Sequence, residues 1–112
     1  MENLNREKWS EFFNRVSKEL AQKRAEIEVQ SLDIGDQIEA EYVQIRGVVF
    51  DHKDDLIEVI LDGLDHLIRH PKEVQVKGNE ENLEAILIVD GEGVRHLITL
   101  RDPLILPAPK TT

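Results

Sequence analysis

The chain has 112 residues, 40% hydrophobic and 33% charged, with 14 basic against 23 acidic side chains, a net charge of −9, and no cysteine. That size accommodates one hydrophobic core without a covalent staple, and the composition is that of a globular rather than a disordered chain. Missing cysteine excludes disulfides, thiolate catalysis and thiolate-ligated metal, and so acidic a surface repels phosphate backbones and anionic headgroups, so neither nucleic acid nor membrane is an expected partner.

The clearest element comes first. Trp9, Phe12, Phe13, Val16 and Leu20 fall at i, i+3, i+4, i+7 and i+11, one face of an amphipathic helix predicted over 6–23. Asn5 suits the N-cap, with Leu4 before it placed to staple onto Trp9. Glu11→Arg15 and Glu19→Lys23 are i,i+4 pairs for the wet side. A stripe holding three of the chain's five Trp, Phe and Tyr residues has to lie on an apolar layer.

From Ala25 the period changes to two, and residues 25–101 read as mainly antiparallel β structure. Ala25, Ile27 and Val29 alternate with Glu26, Glu28 and Gln30, and Asp33 to Asp36 make a turn. Ile38, Ala40 and Tyr42 alternate until the parity flips at Val43, which predicts a β-bulge near Tyr42. Gly47 is expected where the chain bends or another element passes closely. Val48–Phe50 and Leu56–Leu61 flank a polar loop, Asp51–Asp55. The spacing of Leu64, Leu67 and Ile68, ended by Pro71, predicts a short second helix near 62–70. Glu73–Lys77 is a strand, followed by an acidic loop from Gly78 to Asn82. Leu83–Val89 and Val94–Arg101 flank the tight turn Asp90–Gly93, and Ile86–Val89, apolar on both faces, marks a central strand. Residues 102–112 form a proline-rich extended tail.

The expectation is therefore one α+β domain, its N-terminal helix packed on a curved antiparallel sheet of six or seven strands. No apolar run approaches the ~18 residues of a membrane span, and the first residues begin neither a signal nor a transit peptide. Cytoplasm is the expected compartment.

Four segments in order resemble a family of small bacterial proteins known as domain of unknown function 5335. They are Arg6–Phe13 (Arg-Glu-Lys-Trp-Ser-Glu-Phe-Phe), Arg46–Asp51 with Asp54–Ile60, Leu64–Pro71 (Leu-Asp-His-Leu-Ile-Arg-His-Pro), and Arg101–Pro107. The third is the most specific, a charged, His-containing octamer closed by proline. The chain departs from the family pattern at His52, where a proline is expected. The resemblance implies a recurring domain and brings no catalytic residues with it.

In a helical frame His66 and His70 share one face at i, i+4, with Asp62 or Asp65 to supply a carboxylate, and Asp65, His66, Arg69 and His70 form the candidate site. Against metal ligation stand Pro71, which pushes His70 off helical geometry, and the missing glutamate of a metalloprotease motif. No metal, cofactor or catalytic residue is assigned. His96 shares a strand face with Val94, Ile98 and Leu100, the position of a hydrogen-bonded core or edge histidine rather than of a catalytic acid–base. Arg69 and Arg101 are expected to pair with carboxylates. Glycine patterns and nucleophile elbows are absent. Leu104, Ile105 and Leu106, between prolines, need burial on the sheet, on a protein partner or on a second copy. The reading that results is a non-enzymatic interaction module, with a homodimer as one form of it, using a sheet edge or this tail. A small metal-dependent or acid–base enzyme built on Asp65, His66 and His70 is the alternative.

Overall fold

The structure, a computed structural model, describes residues 1–102. Among these residues one α-helix lies against an antiparallel sheet of eight strands. The strands are β1 (Glu2–Leu4), β2 (Arg24–Ser31), β3 (Gly35–Asp51), β4 (Leu56–Leu61), β5 (Leu64–Arg69), β6 (Glu73–Asn79), β7 (Asn82–Val89) and β8 (Arg95–Arg101), with helix α1 spanning Trp9–Leu20. Their order across the sheet is β1-β6-β7-β8-β2-β3-β4-β5.

The helix forms where the apolar period demands. Trp9, Phe12, Phe13, Val16 and Leu20 are all buried, at 5% exposure or less, and the stripe lies against β3. Trp9 meets Phe50 of β3 edge to face, with ring centroids 5.1 Å apart. The helix is shorter than 6–23. Arg6–Lys8 make a 3₁₀ turn ahead of it, and Asn5 gives no side-chain cap. Leu4 instead enters β1 and accepts the Trp9 indole N–H at 2.8 Å. Glu11 and Arg15 pair as expected at 2.7 Å. Lys23 does not pair with Glu19; it is buried and reaches Asp102 at 3.3 Å.

Three irregularities bend β3 and let one strand serve two neighbours. The expected bulge is present: Ala25 pairs with Val43 and Ile27 with Ala40, leaving Glu41 and Tyr42 opposite Glu26, with Tyr42 at φ +52°. A second register shift separates Ile27↔Ala40 from Glu28↔Ile38, and a third lies between Ile45 and Gly47. β3 pairs with β2 up to Gln44 and with β4 from Ile45. Bulges increase local twist, so β4 and β5 swing round until His66 on β5 touches His96 on β8. Helix α1 passes Gly47 closely, with Ser17 Oγ 3.8 Å from where a Cβ would stand.

Two expectations are corrected. Segment 62–70 is not a helix but the β4–β5 turn followed by β5, paired antiparallel from Leu61↔Leu64 to Leu56↔Arg69. Of the three residues that suggested a helical face only Ile68 is buried; Leu64 and Leu67 remain 41% and 42% exposed. Asp62-Gly63 is the turn, Gly63 taking φ +75°, and the backbone then finds its hydrogen bonds across the ladder instead of within a helix. The sheet has eight strands rather than six or seven. Val48–Phe50 merges into β3, while β5 and the three-residue β1, too short to show alternation, are added. The tail residues Leu104, Ile105 and Leu106 lie outside the described residues. Among those described, no helix is long and apolar enough to cross a membrane.

Candidate functional site

Residues 62–70 form a strand, so Asp65, His66, Arg69 and His70 do not converge. Asp65, Leu67 and Arg69 are exposed on the outer face; His66 and Ile68 point inward; His70 lies past the strand end at φ +53°. Among the described residues, no three His, Asp or Glu side chains stand close enough together to hold a metal ion.

Three arrangements surround β5. The first is its outer edge, unpaired among the described residues. The sheet order ends at β5, and the other end is the three-residue β1. The His70 N–H donates to the Asp55 carbonyl at 2.8 Å. Closely bonded pairs alternate along an antiparallel ladder. Leu64, His66, Ile68 and His70 therefore turn their backbone groups toward β4, and Asp65, Leu67 and Arg69 turn theirs outward. On the same outer face Glu58 of β4, opposite Leu67, is a diagonal neighbour of Asp65. Burial first, then the neighbouring Asp65 carboxyl, raise the Glu58 carboxyl above its ordinary range. Arg69 has no ion-pair partner among the described residues, contrary to the expected carboxylate pairing. Arg101 also forms none among them, and its guanidinium carbon lies 4.2 Å from the centroid of the Tyr42 ring. Beside the C-terminal half of β5 opens a cleft of about 690 Å³, lined by Leu67, Arg69, His70, Asp90, Gly91 and Glu92.

The second is a hydrogen-bonded line on the inner face. Asp90 Oδ2 lies 2.9 Å from His96 Nε2, and His96 Nδ1 lies 2.9 Å from His66 Nε2. A carboxylate only accepts, so His96 carries its proton on Nε2 and accepts at Nδ1 from the His66 Nε2–H. Asp90 Oδ1 also accepts the backbone N–H groups of Glu92 and Val94. Burial pushes the Asp90 carboxyl up, but the hydrogen bonds from His96 and the turn outweigh it and hold the carboxyl below its usual range. Burial, and then the neighbouring His96, lower His66 below the ordinary histidine value, against an opposing pull from Glu39. His96 is thus the hydrogen-bonded core histidine its parity suggested, 6% exposed.

The third anchors the end of β5. Arg6 bonds Asp55 at 2.5 Å and the Pro71 carbonyl at 3.0 Å, and Asp55 also meets His70 Nδ1 at 3.2 Å. The guanidinium carbon sits 5.0 Å and 5.3 Å from the Trp9 and Phe50 ring centroids. Hydrogen bonding to Arg6, then to His70, holds the Asp55 carboxyl below its ordinary value despite partial burial. Three of the four family-like segments meet at this point.

Sequence reasoning missed Glu58, Leu67 and Asp90. The signal for the edge was present in Asp62-Gly63, a hairpin dipeptide between two apolar runs. Asp90 resembled an ordinary turn residue, and nothing local distinguishes it.

Fold and edge define a small α+β domain with one curved antiparallel sheet that, among the described residues, leaves a six-residue border strand open. The chain belongs to a family of unknown function (DUF5335), whose model matches residues 1–109. It is 37% identical over 105 residues to an uncharacterized protein of Aquifex aeolicus (strain VF5), covering 93% of this chain and 95% of that protein. No solved structure matches it significantly.

Proposed function

We propose that this protein is a non-enzymatic interaction module that accepts an extended polypeptide strand along the outer edge of β5. The outward backbone groups of Asp65, Leu67 and Arg69 carry this reading, because an unpaired strand edge is a template for one more strand. Leu64 and Leu67 add exposed apolar surface along it. The net charge of −9 favours a protein partner over nucleic acid or an anionic membrane. A photo-cross-linking amino acid placed at Leu67 tests it in cells, with Val49, 44% exposed on β3, as control position. A polypeptide adduct from position 67 and not from 49 is expected. Equal or absent labelling at both would remove the proposal.

A second reading, acid–base chemistry, has one observation in its favour: Asp90 and His96 orient the His66 imidazole. In this form Asp90 and His96 replace Asp65 and His70 around His66. It requires His66 Nδ1 to be reachable. Carbethoxylation of His66 at a rate near that of free imidazole supports it, and a protected His66 ends it. The cleft beside β5 is not lined by His66, which weighs for the first reading.

A further inference from the structure

We propose that the strand received at the β5 edge is β5 of a second copy of this chain, antiparallel, with Leu67 on the two-fold axis. The inference rests on the strand-accepting reading above and names its occupant.

In an antiparallel pair centred on Leu67, Asp65 stands opposite Arg69 of the second copy, and Arg69 opposite its Asp65. Two features of the single chain fit this register. The residues that would face one another across the seam are the ones whose N–H and C=O groups point outward. Residues 65, 67 and 69 would therefore exchange about six backbone hydrogen bonds, two at each facing pair. The outer-face side chains are also self-complementary. Asp65 is a diagonal neighbour of Glu58 on this face, and neither carboxyl has a cation partner among the described residues. Arg69 is a cation with no carboxylate among the described residues. The dyad delivers one to the other twice, with Leu67 against Leu67 between them.

Other registers lose one of these matches. A shift of one residue turns backbone groups of His66 and Ile68, already committed to β4, toward the seam. A shift of two removes both Asp–Arg facing pairs. Directly opposite charges in a sheet contribute roughly 0.2–1 kcal/mol a pair, and like charges oppose pairing. A seam this short is expected to bury less than about 1,000 Å², which places the dimer among weak associations, with Kd on the order of 10 μM.

The test is sedimentation of the full chain between about 1 and 500 μM, comparing wild type with D65R and R69D. Each single variant places like charges at both facing pairs and is expected to weaken self-association about tenfold or more. Mixed one to one, the two restore both opposite-charge pairs and are expected to form a heterodimer within about threefold of wild-type affinity. The doubly swapped chain D65R/R69D, expected to dimerise like wild type, covers a single variant that fails to fold. A wild-type chain that stays monomeric throughout overturns the proposal; if Leu67 still cross-links to a different polypeptide, the strand-accepting reading survives it. A wild-type dimer unaffected by either single change, or two weakened variants that do not recombine, overturns the register.

Discussion

Replacing Asp90 by asparagine keeps the shape of the β7–β8 turn and reverses the polarity of the line that ties β5 to β8. In the native chain the Asp90 carboxylate accepts from His96 Nε2 and from the N–H groups of Glu92 and Val94. Asparagine keeps one oxygen, which serves the two turn amides, and presents an NH₂ to His96. His96 must then accept at Nε2, carry its proton on Nδ1 and donate to His66, whose Nε2 becomes the acceptor. Exchanging a charge-assisted bond for a neutral one costs about 1–1.5 kcal/mol, since bonds to charged groups contribute roughly 1.5–3 and neutral ones about 0.5–1.5 kcal/mol. Alanine removes three bonds and strands a histidine side chain that is only 8% exposed, at a cost of about 3 kcal/mol or more. For a domain of this size each kcal/mol lowers Tm by about 4 °C, so losses of about 5 °C for Asp90→Asn and about 12 °C or more for Asp90→Ala are expected by calorimetry. Long-range ¹H–¹⁵N spectra of the imidazoles read the tautomers directly. His96 protonated on Nε2 in wild type and on Nδ1 in Asp90→Asn is the expected result. Nε2 protonation in both, or equal stability of all three chains, would refute the reasoning.

His66 titrates below its ordinary value of 6.5 in the fold, so the unfolded chain binds its proton first and stability present above about pH 6.5 is lost as the pH falls through the folded value. A second loss follows below 3.8, where Asp90 and Asp55, both lowered, titrate. Urea midpoints between pH 8 and 3 should show both steps, and His66→Phe should abolish only the first. Phe13→Ala empties a fully buried position under the helix and should cost about 3–5 kcal/mol in urea unfolding; a loss below ~1 kcal/mol would mean the helix is not seated on the sheet. Gly78, at φ +96°, would place a Cβ 2.4 Å from the Asn82 carbonyl oxygen, so Gly78→Ala should cost roughly 2 kcal/mol or more by the same measurement, and an unchanged midpoint would count against this hairpin geometry.

The candidate site was legible in part. Asp65, His66 and Arg69 stood out in the sequence, but a helical frame grouped them wrongly. Leu64, Leu67 and Ile68 fit a helix at i, i+3, i+4 as well as they fit a strand with one apolar inward residue, and six residues are too few for period alone to decide. The Asp62-Gly63 turn carried the deciding information. Arg6 and Asp55 lie 49 positions apart, and only folding shows that they share an anchor with His70.

The helix stripe, the switch to alternation after Arg24, the bulge at Tyr42 and the inward parity of His96 were all determined by the sequence alone. Each depends on the periodicity of neighbouring residues, and side-chain direction follows backbone period wherever one face must leave water. Which strand lies at the border was decided only in three dimensions, as was the pairing of His66 with His96 across 30 positions. The bends in β3 bring β5 over β8, and the accumulated curvature of a long strand is a sum over the sheet that no local pattern encodes.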